Sequence, residues 1–181
     1  MIWIGLRPWL VLKKALIQTL RTNGGPVSTI PTRLYYQAAN ELLQKAGFLT
    51  RSVAPGKILI TKSGQTLYVD IAGKNLPYHG RNGLPCFEWE TWIAPDRLER
   101  LEVNAASYGA EPWLAFCYAV LEQKYERHFA KIGVIANQRF GLKLISAQEY
   151  RDRMVPRSPS WGEVNLPRER VTQLTLDPAM V

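Results

Sequence analysis

The sequence lacks the residues that a disulfide framework, a zinc site or a membrane span would require. It has two cysteines and two histidines among 181 residues, too few for a set of bridges or for a Cys/His metal cluster. The apolar run Trp113–Leu121 is too short to cross a bilayer and is typical of a buried strand. Isolated cysteines such as Cys86 and Cys117 are typical of buried thiols in a reducing compartment. We therefore expect a cytoplasmic protein without a membrane partner.

Acidic residues are scarce relative to basic ones. Lys and Arg number 23 against 15 Asp and Glu, which gives a formal net charge of +8 and a pI near 9.7. This balance favours an anionic partner. For a cytosolic domain it indicates nucleic acid, and a solvated basic face is the alternative. The candidates for contacts with DNA phosphates are Arg33, Arg51, Lys57, Lys74, Arg81, Arg151, Arg153 and Arg157.

The acids that are present stand where strands normally carry apolar side chains. In the run Phe87–Trp92, two glutamates alternate with Phe87, Trp89 and Thr91. In a strand, Glu88 and Glu90 would therefore share one face. Asp70 lies in the strand-like run Leu67–Ala72 upstream. Like charges in a core repel each other and lose hydration, and a divalent cation with oxygen ligands would remove that cost. The pattern predicts that these three carboxylates gather in one pocket and bind Mg²⁺ or Mn²⁺, with a solvated edge strand as the alternative.

Three neighbouring carboxylates would destabilise the protein when no metal is bound, because they repel one another. Replacing Asp70 by Asn is therefore expected to raise the melting temperature in chelator. The same change should remove the stabilisation that a metal bound to the folded state provides.

The periodicity of apolar residues predicts a single α/β core with extensions at both ends. Residues 1–32 are expected to form an N-terminal helix and linker, 33–154 the core and 155–181 a C-terminal extension. Within the core the predicted elements are a helix over Leu34–Ala46, strands over Phe48–Val53, Lys57–Lys62 and Thr66–Ala72, the acidic strand, a helix over Ile93–Gly109 and the strand Trp113–Leu121.

Four local features occur in a characteristic order: a helix ending at Gln44–Phe48, the strand end Asp70–Lys74, the stretch Glu88–Glu90 and a helix end at Tyr108–Pro112. With these features the region 33–121 resembles the restriction-endonuclease-like superfamily, the PD-(D/E)xK nucleases, and archaeal-type Holliday-junction resolvases are nearest. The resemblance implies a central mixed β-sheet flanked by helices in the order αβββαβ. It also implies Mg²⁺-dependent hydrolysis of DNA phosphodiesters.

The resemblance assigns roles to individual residues. Asp70 and Glu88 stand at the positions of the metal ligands, while Glu90 stands where the superfamily carries its signature lysine. An E-x-E centre with a second metal ion is one replacement for that lysine. A cation supplied by Lys74 or Arg81 is the other.

The acid that the superfamily carries on its first helix falls near Gln37, and Glu41 lies one turn later on the same face. The sequence thus predicts a metal-dependent endonuclease for branched or duplex DNA. The alternative is a nuclease-fold protein that has lost catalysis and acts as a nucleic-acid-binding or assembly subunit. Because cutting two strands needs two centres, we expect a C2 homodimer, with the apolar segment around Trp3 and Trp9 as its interface.

Overall fold

A six-stranded mixed β-sheet forms the centre of the protein in a computed structural model, which describes residues 30–79, 85–87, 89–157 and 162–174. The strand order of this sheet is β1-β2-β3-β6-β8-β7. The predicted N-terminal helix and dimer interface lie outside the described residues. In chain order the elements are α1 (Thr32–Lys45), β1 (Leu49–Ala54), β2 (Lys57–Lys62), β3 (Gln65–Leu76), β4 (Tyr78–His79), β5 (Pro85–Phe87), α2 (Pro95–Ser107), β6 (Glu111–Val120), a 3₁₀ helix (Gln123–His128), β7 (Ile132–Ile135), β8 (Gln138–Ser146), α3 (Ala147–Arg153), β9 (Val155–Pro156), β10 (Val164–Asn165) and α4 (Arg168–Gln173).

Strand β3 has different neighbours along its two halves. Its first half pairs antiparallel with β2, which begins at Lys57 opposite Asp70. Nearly the whole of β3 pairs in parallel with β6 on its other side. On the β2 side of β3, Ile71 N donates a hydrogen bond to Gly56 O at 2.7 Å. Within the described strands, this is the last backbone hydrogen bond on that side of β3. Asp70 therefore lies where the sheet narrows and one edge of β3 opens.

The side chains of β3 alternate between two cores, as the geometry of a strand requires. Val69 and Ile71 pack in the core that α1 covers, whereas Tyr68 and Ala72 pack in the core that α2 covers. Asp70 has the parity of the second pair. Its carboxylate is therefore directed to the α2 side of the sheet.

The predicted fold class is confirmed. The central sheet is mixed, helices cover both of its faces, and α1, β1, β2, β3, α2 and β6 follow one another in the αβββαβ order. Helix α3 is capped at its start, because Ser146 Oγ accepts a hydrogen bond from Glu149 N at 3.1 Å.

The predicted acidic strand over residues 87–92 is wrong. Phe87 ends β5, which pairs only with β4 in a separate two-stranded sheet, and residues 89–92 belong to no strand. Residues 89–92 instead lie over the α2-side core, where Trp89, Glu90 and Thr91 are all buried, so burial does not alternate along them as it would in an edge strand.

Side chains, rather than a neighbouring strand, bind the backbone of this segment. Three consecutive carbonyls accept one hydrogen bond each, from Tyr118 Oη to Glu90 O at 2.8 Å, from Tyr150 Oη to Thr91 O at 2.8 Å and from Lys74 Nζ to Trp92 O at 2.9 Å. Buried carbonyls need a hydrogen-bond donor, and these long-range contacts supply one to each of the three. They allow residues 89–92 to follow an irregular path without pairing with a strand.

Two expectations from the sequence concern membrane-spanning segments and the burial of the cysteines. Among the described residues, no helix combines the length and the apolar character needed to cross a membrane. Cys117 is a free thiol in the middle of the sheet, and burial raises its pKa. The predicted buried thiol is thus confirmed for Cys117, while the side chain of Cys86 lies outside the description.

We predict that Tyr150→Phe lowers the free energy of unfolding by about 1–2 kcal/mol, because the buried Thr91 carbonyl loses its donor. Urea denaturation measures this change. The matched control is Tyr108→Phe, since Tyr108 is 47% exposed and stacks on Tyr68 without a hydroxyl hydrogen bond among the described residues. It should alter stability by less than about 0.5 kcal/mol. Equal losses of unfolding free energy in the two variants would contradict the role of the Tyr150 hydroxyl as the donor to the Thr91 carbonyl.

Candidate functional site

The Asp70 carboxylate is buried and paired with two cations. Its side chain is 3% exposed. Arg97, in the first turn of α2, binds both carboxylate oxygens, with Nε 2.8 Å from Oδ2 and Nη2 2.9 Å from Oδ1. Lys57, at the start of β2, places Nζ 2.9 Å from Oδ2. These three residues, called the Asp70 cluster below, join β2, β3 and α2.

The two cations determine the charge state of Asp70. Burial raises the pKa of the Asp70 carboxyl, but the hydrogen bonds and charges of Arg97 and Lys57 outweigh it and hold the pKa below its ordinary value. Hydrogen bonding to Asp70 in turn raises the pKa of Arg97. Arg97 Nη2 also donates to the Ile71 carbonyl at 3.0 Å, which fixes the guanidinium against the open edge of β3.

A second group of charges surrounds Glu90. Glu90 is 7% exposed, and its Oε1 lies 3.0 Å from Arg157 Nη2. Arg157 Nη1 lies 2.7 Å from Glu163 Oε2, and its guanidinium carbon lies 5.2 Å from the centroid of the Trp92 ring. These contacts connect the irregular segment to the chain around β9 and β10. Glu90 and Glu163 thus share one cation, Arg157, whereas Asp70 alone has two, Arg97 and Lys57.

Lys74 lies near both groups. It is 8% exposed, and its Nζ lies 3.7 Å from the centroid of the Trp92 ring. Burial lowers its pKa to about 7, an effect that Glu90 opposes and that Arg97 and Arg157 reinforce. Lys74 and Glu90 line a cavity of about 230 Å³ at the open end of β3. A lysine that exchanges its proton near neutral pH is suited to proton transfer.

The described residues do not fit a divalent cation. No group of three or more His, Cys, Asp or Glu in this part of the chain is placed to hold a metal ion. Asp70 directs both oxygens at cationic side chains, and Glu90 binds Arg157. Glu88, the other predicted ligand, lies outside the described residues. Asp70 and Glu90 thus each bind cationic side chains in this structure, and the pocket of three carboxylates, which also needs Glu88, stays a prediction.

The two candidates for the first-helix acid lie on α1. Gln37 Nε2 donates to Glu41 Oε1 at 3.1 Å on the outer side of the helix. Because α1 packs on the Ile71 side of the sheet and the Asp70 side chain has the opposite parity, the structure does not join either residue to the Asp70 cluster. Gln37 lines a separate groove between α1 and β1.

The predicted phosphate-binding residues are distributed over several parts of the surface. Arg151 binds both carboxylate oxygens of Glu102 on α2, with its Nη2 2.7 Å and 2.8 Å from them. Arg153 pairs with Glu149 one turn earlier on α3 at 2.6 Å. Arg33 and Arg51 are exposed. Arg81 lies outside the described residues. Lys57, Lys74 and Arg157 are thus the members that lie beside the buried acids.

Sequence reasoning did not assign Arg97 a role, although it is the main partner of Asp70. One signal was available. Arg97 stands in the first turn of a helix, where the helix dipole disfavours a positive charge. An acidic partner offsets this unfavourable position, and Asp70 is that partner.

Among solved structures, the chain is similar to Hjc, a Holliday-junction resolvase from the archaeal hyperthermophile Archaeoglobus fulgidus, with 13% sequence identity, a TM-score of 0.45, and coverage of 78% of this chain and 90% of that chain. No protein-family model matches the sequence, and no curated protein matches it either.

We predict that Asp70→Asn lowers stability at neutral pH, which reverses the sign expected from three repelling carboxylates. The carboxylate accepts charged hydrogen bonds, each of which contributes about 1.5–3 kcal/mol, and the loss is expected in this range because Arg97 and Lys57 are partly solvated. The folded-state pKa of Asp70 is depressed, so its contribution is complete above the ordinary value of 3.8 and disappears as the pH falls through the lowered pKa. Urea unfolding of both proteins from neutral to acid pH should show the difference shrinking.

The matched control is Asp96→Asn. Asp96 is 59% exposed and pairs with Arg100 one turn later on the same helix, so its loss should cost less than about 1 kcal/mol. If Asp70→Asn is as stable as the unmodified protein in chelator at neutral pH, the Asp70 cluster does not stabilise the fold.

Proposed function

We propose that the protein binds DNA through the Asp70 cluster and that this binding does not need a metal ion. The observation that supports the proposal is the arrangement of two cations around one buried carboxylate. Lys57 is 28% exposed and Arg97 is 32% exposed, whereas Asp70 is almost fully enclosed. The buried Asp70 carboxylate therefore holds the Lys57 and Arg97 side chains in place, and both cationic groups still reach solvent.

This arrangement leaves a surplus of positive charge at the open edge of β3. One carboxylate faces two cations, so the cluster as a whole is cationic. Within the described residues, Arg97 Nη1 makes no hydrogen bond and Lys57 has donors to spare, so both can bind a phosphate oxygen. A phosphate-binding arginine that is already oriented loses little side-chain freedom on binding. The net charge of +8 adds long-range attraction to DNA.

Metal-dependent endonuclease activity is the second candidate. It is supported by the αβββαβ order and by Glu90, which lies beside Lys74 at a cavity on the open end of β3. In this proposal Asp70, Glu88 and Glu90 would bind Mg²⁺ or Mn²⁺, and the metal would supply charge stabilisation during hydrolysis of the phosphodiester. A cation at Asp70 would have to displace Arg97 and Lys57, which is why the geometry favours binding without catalysis. The homodimer predicted from the N-terminal segment remains a prediction.

We predict that Lys57→Met weakens binding to duplex and branched DNA and reduces the slope of affinity against salt by about one, as expected for the loss of one phosphate contact. Fluorescence anisotropy in chelator, at several salt concentrations, measures both quantities. Lys124→Met is the matched control, because Lys124 is 62% exposed and pairs with Glu122 in the 3₁₀ region, away from the Asp70 cluster. If both variants lose the same affinity, the contact is not specific to the Asp70 cluster.

Cleavage distinguishes the two candidates. Incubation with Mg²⁺ or Mn²⁺ and four-way junctions, flaps or linear duplexes should leave every substrate intact if the protein only binds DNA. Specific cleavage that Glu88→Ala and Glu90→Gln abolish, with binding retained, would establish the endonuclease instead.

A further inference from the structure

A groove between α1 and β1 has a lining unlike the rest of this basic protein. Its volume is about 350 Å³, which is within the range of small-ligand sites. The described residues that line it carry no charge. Side-chain amides come from α1 and hydroxyls from β1, above an apolar floor. The polar members are Tyr36, Gln37, Asn40, Gln44, Thr50 and Ser52.

Several of these polar groups are available to a ligand. Gln44 Nε2 donates to Thr50 Oγ1 at 2.9 Å and Gln37 donates to Glu41, so each of these two amides is oriented by a neighbour. The amide of Asn40 and the hydroxyl of Ser52 have no hydrogen-bond partner among the described residues. Unused donors and acceptors on both walls favour a neutral ligand with its own hydrogen-bonding edge.

The turn between β1 and β2 shapes one end of the groove. Gly56 has a φ of +71°, and a Cβ at this position would lie 2.7 Å from Cε1 of Tyr36. Glycine is therefore required both by the backbone and by the ring that packs against it. The register of β1 with β2 also shifts between Ser52 and Ala54, which bends the strand at the groove. The Tyr36 ring consequently lines the groove as an aromatic surface.

The groove lies on the α1 side of the sheet, and one end of it reaches the backbone that carries the Asp70 cluster. Gly56 immediately precedes Lys57, and Ile71, which forms part of the groove floor, accepts a hydrogen bond from Arg97 through its carbonyl. A ligand that fills the groove would thus have two cations beside it.

We propose that this groove binds an unpaired nucleobase of a DNA strand whose phosphates contact Lys57 and Arg97. The inference rests on the DNA binding proposed above. Neutral amides and an aromatic ring suit a base, because Asn and Gln hydrogen-bond base edges and tyrosine stacks on base faces. A phosphate would select a cationic lining, which lies next to the groove rather than inside it. DNA with an unpaired base is the ligand that presents both chemistries side by side.

The test compares two DNA hairpins of equal length whose strands are joined by the same non-nucleotide linker, one fully paired and one with a single bulged adenine, by fluorescence anisotropy at low salt. The bulged hairpin should bind roughly tenfold more tightly, within the range expected for stacking of one base. Asn40→Ala should reduce its affinity roughly three- to tenfold, the value of a neutral hydrogen bond, and leave the paired hairpin unchanged. Ser52→Ala, on the other wall, should have the same selective effect.

Asn104→Ala is the matched control, because Asn104 is also partly buried on a helix but lies on α2, away from the groove. It should change neither affinity. A 2-aminopurine placed at the bulge should lose fluorescence on binding, and Tyr36→Leu should diminish that loss. Equal affinities for the two hairpins, or an equal effect of Asn40→Ala on both, would overturn the nucleobase site while leaving DNA binding intact. Failure to bind either hairpin at low salt would overturn both proposals.

Discussion

The ion pair between Asp70 and Arg97 is the constraint on which the arrangement of this protein's site depends. A carboxylate that is 3% exposed is costly to bury, and it is tolerated here because both of its oxygens receive charged donors. Since Arg97 belongs to the first turn of α2 and Lys57 to the first residue of β2, satisfying one acid fixes a helix and a strand end relative to β3. The edge of the sheet beyond Asp70 is therefore held open by charged side chains rather than closed by a further strand.

Residues 89–92, the irregular segment over the α2-side core, are also held by long-range contacts, here hydrogen bonds to uncharged backbone carbonyls. A chain that crosses a core without joining a sheet must find donors for its carbonyls, and Tyr118, Tyr150 and Lys74 supply them. Lys74 is buried in this position, and burial lowers its pKa to about 7. The segment places Glu90 near the end of β3, where it shares Arg157 with Glu163.

Sequence patterns captured those parts of the fold that depend on local periodicity. The apolar stripe of α1, the cap at Ser146 and the buried run in β6 were each predictable because neighbouring residues determine them. The acidic strand was mispredicted because residues 89–92 are placed by side chains from β3, β6 and α3, contacts that no local pattern encodes. The same limit applies to the site. Asp70 was identifiable as a buried acid, but its partner is 27 residues away on a helix, and only the fold brings Arg97 to it.

The sign of the local charge decides which ligand this edge of the sheet can accept. A group of uncompensated carboxylates attracts metal cations, whereas a carboxylate with two cations attracts anions. The difference depends on few residues, because Arg97 and Lys57 convert the buried Asp70 from a possible metal ligand into the support of a positively charged surface. Lys74 does not share this role, since it is buried against Trp92 and close to Glu90. Among the described residues, Lys57 and Arg97 are thus the cations of this edge that can reach an anion, and together with the end of the neutral groove they give the proposed interface two chemically distinct halves.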